Sequence, residues 1–188
     1  MVLMVFTLSS CVNNSKTNTI SLVELTDREN AILKTTSDQS FVFDFSVNRD
    51  YKEVAVWIEK YELGELVDGK LNRLKTQIDG NGSIIISNTK DKEQNPYFNI
   101  GIQSDFGIGT LKGPDINTGE FDQMTSISGN IYESKTLDEG EVVLANICFS
   151  DKGFISSLTR DFYEDFNSHI DELQQYDVAF LVKAEFSK

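Results

Sequence analysis

Residues 41–47 read Phe41-Val42-Phe43-Asp44-Phe45-Ser46-Val47. Phe41, Phe43, Phe45 and Val47 occupy alternate positions, with Asp44 and Ser46 between them. Successive side chains of a strand point to opposite faces, so this stretch is a strand with one apolar and one polar face. Such a strand belongs in an antiparallel sheet, one side on a core and the other in water. The same period recurs along the chain. Across Lys52–Leu63, Val54, Val56 and Ile58 alternate with Ala55, Trp57, Glu59 and Tyr61, and a turn region follows over Leu63–Gly69. Leu71–Ile78 and Ser83–Ser87 flank Asp79-Gly80-Asn81-Gly82, whose turn formers predict a hairpin. Tyr97–Gln103 places Phe98, Ile100 and Ile102 together, and Phe106–Lys112 adds a short strand with Gly107 and Gly109. Phe121–Glu133 alternates less cleanly. Glu141–Ser150 is apolar on both faces, as a central strand is. Tyr176–Phe186 aligns Phe180, Val182, Ala184 and Phe186.

The period changes once. Leu158, Phe162, Phe166, Ile170 and Leu173 recur at spacings of four and three, which predicts a helix over Thr159–Gln175. Asn167-Ser168 is a point where it breaks, with Ser168 capping a second piece through Asp171 or Glu172. The resulting expectation is a mainly β chain: an antiparallel sandwich or barrel-like fold of about eight or nine strands. One helical insertion precedes the last strand and caps an open end or covers an edge strand. Residues 22–188 read as a single domain.

Charge narrows the partners. The 188 residues carry 17 Lys+Arg against 30 Asp+Glu, a formal net charge of −13. Phosphate backbones are bound by clustered Lys and Arg, so nucleic acid is excluded as a partner class. No apolar run approaches the roughly 20 residues of a membrane-spanning helix.

The first residues carry a more specific signal. Met1–Leu8 is apolar and uncharged, and Leu8-Ser9-Ser10-Cys11 follows the order Leu, small, small, Cys. That tetrad resembles the lipobox of bacterial lipoproteins, and the chain as a whole resembles small lipoproteins of Gram-positive bacteria. The resemblance implies cleavage before Cys11, a lipid on its thiol, and a protein held by acyl chains on the extracytoplasmic face of the cell membrane. The usual Lys/Arg-rich beginning is absent and the apolar run is short, which places the expected true start upstream of Met1. Residues 11–21 then read as the lipidated cysteine and a polar tether rich in Asn, Ser and Thr. The second cysteine, Cys148, lies in an apolar run and reads as a buried, inert thiol. The competing readings are a buried N-terminal strand and a Cys11–Cys148 disulfide.

Few constellations point to chemistry. His169 is the only histidine. It supports neither a His-based metal site nor, without a G-x-S-x-G elbow, a hydrolase triad. Gly107-Ile108-Gly109 lacks the third glycine of a dinucleotide site and opens no helix. Asp115, Asn117, Glu120 and Asp122 place oxygen ligands around Gly119, a weak calcium pattern that also reads as an ordinary turn. No other cofactor is suggested. Trp57, Glu59 and Tyr61 share a strand face. If Val54, Val56 and Ile58 face the core, that stripe is a candidate surface for a peptide, glycan or protein. If instead Trp57 is the sandwich's core tryptophan, the stripe is buried. The functional expectation is a lipid-anchored binding module for an extracellular ligand or protein. The alternatives are a carboxylate-dependent hydrolase and a lipoprotein whose acidic helical segment, carrying Asp161, Glu164, Asp165, Asp171, Glu172 and Asp177, docks a basic partner.

Overall fold

A computed structural model describes residues 18–90, 95–114, 121–137 and 140–188. Eleven strands run in chain order: β1 (Thr19–Leu22), β2 (Gln39–Ser46), β3 (Glu53–Glu62), β4 (Glu65–Gln77), β5 (Asn81–Lys90), β6 (Pro96–Ser104), β7 (Gly107–Pro114), β8 (Thr125–Asn130), β9 (Lys135–Thr136), β10 (Glu141–Ser150) and β11 (Val178–Ser187). Helix α1 (Asp27–Thr36) lies between β1 and β2. Helices α2 (Arg160–Glu164) and α3 (Phe166–His169), with a 3-10 segment over Ile170–Gln175, lie between β10 and β11. The strands form two sheets, ordered β7-β6-β5-β2-β1-β9 and β4-β3-β11-β10-β8. Every pairing between them is antiparallel. The mainly β sandwich expected from the alternation is the observed fold, with more strands than counted in the sequence.

The alternating residues build the core between the sheets. Phe43, Ile84, Ile86, Phe98, Ile100 and Ile102 enter from the first sheet; Val54, Val56, Ile58, Phe180 and Val182 enter from the second. All are at most 2% exposed, and side chains of this kind each stabilise the fold by roughly 1.5–3 kcal/mol on burial. Aromatic edges join the layers, with Phe98 against Phe180 at 5.0 Å and Phe45 against Phe186 at 5.2 Å between ring centroids.

Four sequence readings need correction. Asp79-Gly80-Asn81-Gly82 is not a hairpin. β4 pairs with β3 at the edge of one sheet, while β5 lies between β2 and β6 in the other. The segment is an arch between layers, pinned where the Ile78 N–H donates to Lys52 O at 2.9 Å and the Val47 N–H to Gly80 O at 3.1 Å. Turn formers report that the chain reverses, not whether it stays in its sheet. Two-residue hairpins fall instead at Leu63-Gly64, both with positive φ, between Glu62 and Glu65, and at Asp105-Phe106, between Ser104 and Gly107.

The second correction concerns α1, which was not anticipated because no side chain of it is buried and it shows no apolar stripe. It is held locally by a capping box: the Thr26 Oγ1 accepts from the Glu29 N–H at 3.3 Å, and the Glu29 carboxylate accepts from the Thr26 N–H at 2.8 Å. Third, residues 19–21, read as tether, belong to β1. Fourth, the late helix is broken at Asp165, not at Asn167-Ser168. Asp165 leaves helical geometry at φ −138°, ψ 78°, and its own carboxylate caps α3 by accepting from the Ser168 N–H. The helices reach the edge strand β8, where Tyr163 packs over Gly129. They lie across the outer face of the second sheet, where Phe166 meets Tyr61 of β3 and Tyr163 bonds Asn146 of β10.

The arch generates a stability prediction. A Cβ on Gly82 would collide with the Phe45 ring and the Gln103 carbonyl, whereas one on Gly80, at φ +85°, meets nothing. Gly82→Ala is expected to cost about 2–3 kcal/mol through overpacking, and Gly80→Ala only about 1 kcal/mol through its positive φ. Urea unfolding of the two variants checks that order.

Candidate functional site

The stripe Trp57, Glu59 and Tyr61 faces away from the sandwich core, yet none of the three is open to water. They are 1%, 6% and 3% exposed. Pairing fixes the orientation, because directly opposed residues in antiparallel strands share a face. Trp57 lies opposite Lys183, and Val56 opposite Ala184. The valines therefore point inward, and the tryptophan shares the outer face with a lysine. The Arg73 guanidinium covers the indole at 5.7 Å and is itself paired with Glu185 at 3.6 Å.

Glu59 is the centre of this cluster. Its carboxylate accepts from the Tyr61 hydroxyl at 2.7 Å and from the Trp57 indole N–H at 3.4 Å. It pairs with Lys183 Nζ at 2.9 Å. Lys183 is 5% exposed. Its ammonium also meets Glu141 Oε2 at 3.2 Å and sits 4.3 Å from the centre of the Phe166 ring. A buried ammonium persists only with charged and hydrogen-bonded company. Lys183 has two carboxylates and an aromatic face.

Glu141 reaches this group through a bulge in β10. The register shifts between Val143 and Ala145, so Glu141 lies opposite Glu185 while Asn146 lies opposite Leu181. Simple alternation would place residues 141 and 146 on opposite faces. The extra residue puts both on the outer face. Asn146 then accepts from the Tyr163 hydroxyl of α2 and donates to Cys148 Sγ at 3.1 Å. Gly129 of β8 leaves the room for this contact, since a Cβ there would press on the Tyr163 hydroxyl at 2.6 Å. Cys148 is fully buried, and its thiol is pushed up to about 12 by burial, against a lowering contribution from the Asn146 hydrogen bond. It is the inert thiol that its apolar surroundings suggested.

Beside the cluster, α2 and α3 stand away from β9 and the start of β10 and leave a cleft of about 760 Å³. That volume lies in the range of small-molecule sites. Lys183 and Glu141 line its base, Lys135 and Leu137 one wall, and Tyr163, Glu164 and Phe166 the other. Arg160 at the rim pairs with Glu133 at 2.9 Å. The Lys135 ammonium donates to the main-chain carbonyl of Tyr163. Burial lowers its pKa, and Glu164 acts in the opposite direction. The lining is dominated by charged and polar groups, which suits a polar ligand better than an apolar one.

The other sequence candidates fall elsewhere. Cys11 lies outside the described residues, as do Asp115, Asn117 and Glu120. Asp122 belongs to a short 3-10 turn over Phe121–Gln123. Among the described residues, no group of three His, Cys, Asp or Glu side chains is arranged to hold a metal ion, and no helix is long and apolar enough to cross a membrane. His169 meets Glu172 at 3.4 Å. Part of the acidic segment is engaged internally: Glu172 accepts from Thr159 Oγ1 at 2.6 Å, and Asp177 from Ser150 Oγ at 2.8 Å. Asp177 is held below the usual carboxylate range, first by the Asp151 N–H and then by the Ser150 hydroxyl.

Sequence reasoning overlooked Lys183, Lys135 and Glu141. For Lys183 a signal existed. It is the one cation within the apolar run Val178–Phe186, and a lysine in a central strand requires a carboxylate partner. For Glu141 there was none, because a bulge leaves no trace in a local pattern.

The fold and cleft define a two-layer antiparallel sandwich with a roofed outer face and a large charged groove. The chain belongs to the YgaN domain family, whose model matches residues 19–186. Comparison with curated proteins and with solved structures found no match.

Two predictions follow from the buried cluster. Lys183→Met strands the Glu59 carboxylate without its cation, and the expected loss is about 3–5 kcal/mol in urea unfolding. Adding Glu59→Gln, which removes the stranded charge, is expected to restore a large part of that loss. The second prediction concerns alkali. Burial first, and then neighbouring acidic groups, raise the phenols of Tyr61, Tyr163 and Tyr176 above their ordinary value. The unfolded chain releases these protons near pH 10 while the folded chain keeps them. Their contribution to stability is therefore complete below about pH 10 and is lost as pH rises beyond it. Absorbance at 295 nm is expected to show three of the six tyrosines ionising only together with unfolding.

Proposed function

We propose that this protein is a lipid-anchored, extracytoplasmic binding module, and that its ligand seat is the cleft between α2–α3 and β9–β10. The observation that supports the reading is a hydrogen bond between the cleft wall and the start of the described chain, a few residues after the anchor motif. The Leu137 N–H donates to Asn18 O at 2.6 Å, so the cleft wall at Leu137 is stitched to the beginning of the described chain. Cys11 and Asn18 are seven residue steps apart, a reach of at most about 25 Å when fully extended. A lipid on Cys11 would thus hold the cleft near the headgroup region. The net charge of −13 keeps the domain from adsorbing to anionic lipid by itself, so attachment falls to the anchor alone.

A capture role fits the chemistry better than carboxylate catalysis. The Glu59 carboxylate already accepts from Trp57 and Tyr61 and pairs with Lys183, leaving little capacity for a substrate proton. Glu141 is tied to Lys183 as well.

The anchor is tested in cells. Wild-type protein is expected to incorporate labelled fatty acid and to fractionate with membranes. Cys11→Ala is expected to lose the label and appear in the medium with an unchanged melting temperature. A Cys11→Ala protein that remains in the membrane fraction, or a wild type without label, would overturn the anchored reading.

A further inference from the structure

The first sheet brings the beginning of the described chain and an exposed apolar hairpin to the same end of the sandwich. Register fixes this. Thr19 of β1 lies opposite Ser46 of β2, and Ser46 opposite Asn81 of β5. Two residues further along β5, Ser83 lies opposite Gln103 of β6. The Asp105-Phe106 turn is therefore level with Thr19 and three strands away, a separation of about 15 Å at the usual strand spacing. Phe106 in that turn is 66% exposed, and Ile108, just after it on β7, is 65% exposed. The tip is held in place. The Phe106 N–H donates to Ser104 Oγ at 3.3 Å, and that hydroxyl donates to Gln77 O of β4 at 3.1 Å.

An exposed apolar side chain is ordinary by itself. Place and charge distinguish this pair. Other exposed apolar residues, such as Leu63, Leu66 and Phe154, lie at the opposite end, where β3 and β10 finish and β11 begins. The hairpin instead shares its end with Asn18, the residue from which the chain runs back toward Cys11. Among the described residues, the segments exposed at this end carry Arg49, Lys52 and Lys188 against Asp50, Asp79 and Asp105. The end is thus close to neutral in a chain of net charge −13, and it can approach a bilayer where the rest of the surface is repelled.

We propose that Phe106 and Ile108 form a second contact with the lipid surface, entering the boundary between headgroups and acyl chains and fixing which end of the sandwich faces the bilayer. The proposal rests on the anchored reading and adds an orientation to it. The anchor attaches and the hairpin orients. Two side chains offer too little apolar area to hold an acidic domain on lipid by themselves. On a tethered domain their insertion becomes an intramolecular event, favoured by a high effective concentration. The reach of about 25 Å between Cys11 and Asn18 exceeds the lateral separation of about 15 Å, so the acyl chains and Phe106 can occupy one bilayer surface together.

The test couples the full chain through Cys11 to a maleimide lipid in phosphatidylcholine vesicles that contain phosphatidylcholine brominated near the headgroup. Coupling is selective, because Cys148 is buried and its thiol is pushed up to about 12. The reporters are Phe106→Trp and Phe154→Trp, each measured against the wild type, whose Trp57 is 1% exposed and gives a constant background. Coupled Phe106→Trp is expected to shift its emission to the blue and to be quenched at least about threefold more strongly than coupled Phe154→Trp, as insertion to interfacial depth requires. Adding Ile108→Ser to Phe106→Trp is expected to reduce the quenching, with circular dichroism and melting temperature verifying the fold. Without coupling, Phe106→Trp is expected to show no quenching. Equal quenching of the two reporters, or quenching of neither, would overturn the proposal. So would a blue shift of Phe106→Trp without vesicles that grows with protein concentration, since the hairpin would then pack on a second copy of the chain. The coupling is chemical and does not depend on lipidation in cells, so failure here and failure of the fatty-acid assay are separate results.

Discussion

The outer face of the second sheet is organised by the Lys183 ammonium. A lysine in a central strand, opposite a tryptophan and under a helix, cannot shed its charge to bulk water. Its neighbours must supply the solvation that water would have given. Glu59 and Glu141 do so from the two strands that flank β11, and Phe166 supplies a ring face from above. Each partner is in turn constrained. Glu59 is oriented by Trp57 and Tyr61, which explains why two large aromatic side chains turned away from the core are nonetheless buried. Glu141 depends on the bulge in β10. Removing any one of these leaves a polar group buried without compensation, so the cluster stands or falls as a unit.

That dependence shapes the roof. An unbroken helix over Thr159–Gln175 would extend about 25 Å at 1.5 Å per residue. The Asp165 break instead bends the segment. Tyr163 can then reach down to Asn146 while Phe166 reaches Lys183 and Tyr61. The two anchors lie on different strands, and the roof between them covers the charged cluster. The same bend leaves open the side toward β9, and that opening is the cleft. Site and packing are thus consequences of one local departure from helical geometry, stabilised by the Asp165 cap on Ser168.

The sandwich was legible in the sequence because period-two burial is a local property, written strand by strand. Phe41–Val47 and Tyr176–Phe186 sit on the faces their alternation assigns. What was not legible was relational. Asp79-Gly80-Asn81-Gly82 announces a reversal, but whether the chain returns along its own sheet or crosses to the other depends on Ile78 and Val47 finding partners 26 to 33 residues away. The Trp57 stripe was correctly placed opposite the valines if these face inward. Its burial was not deducible, because the residues that cover it come from β4, β11 and α3. Helix α1 escaped notice for the opposite reason. Its stability is local capping, signalled by Thr26 and Glu29 rather than by any apolar stripe.

Charge pairing on this surface follows burial. Where burial is deep, as at Glu59 and Lys183, every charge has a partner in the chain, because an orphan there would cost several kcal/mol. Where the groove opens, an unmatched charge costs far less, since water solvates it until something better arrives. There Lys135, half-buried on β9 and bonded to the Tyr163 carbonyl, has its electrostatic partner in Glu164, an exposed carboxylate of α2, so pairing loosens as burial does.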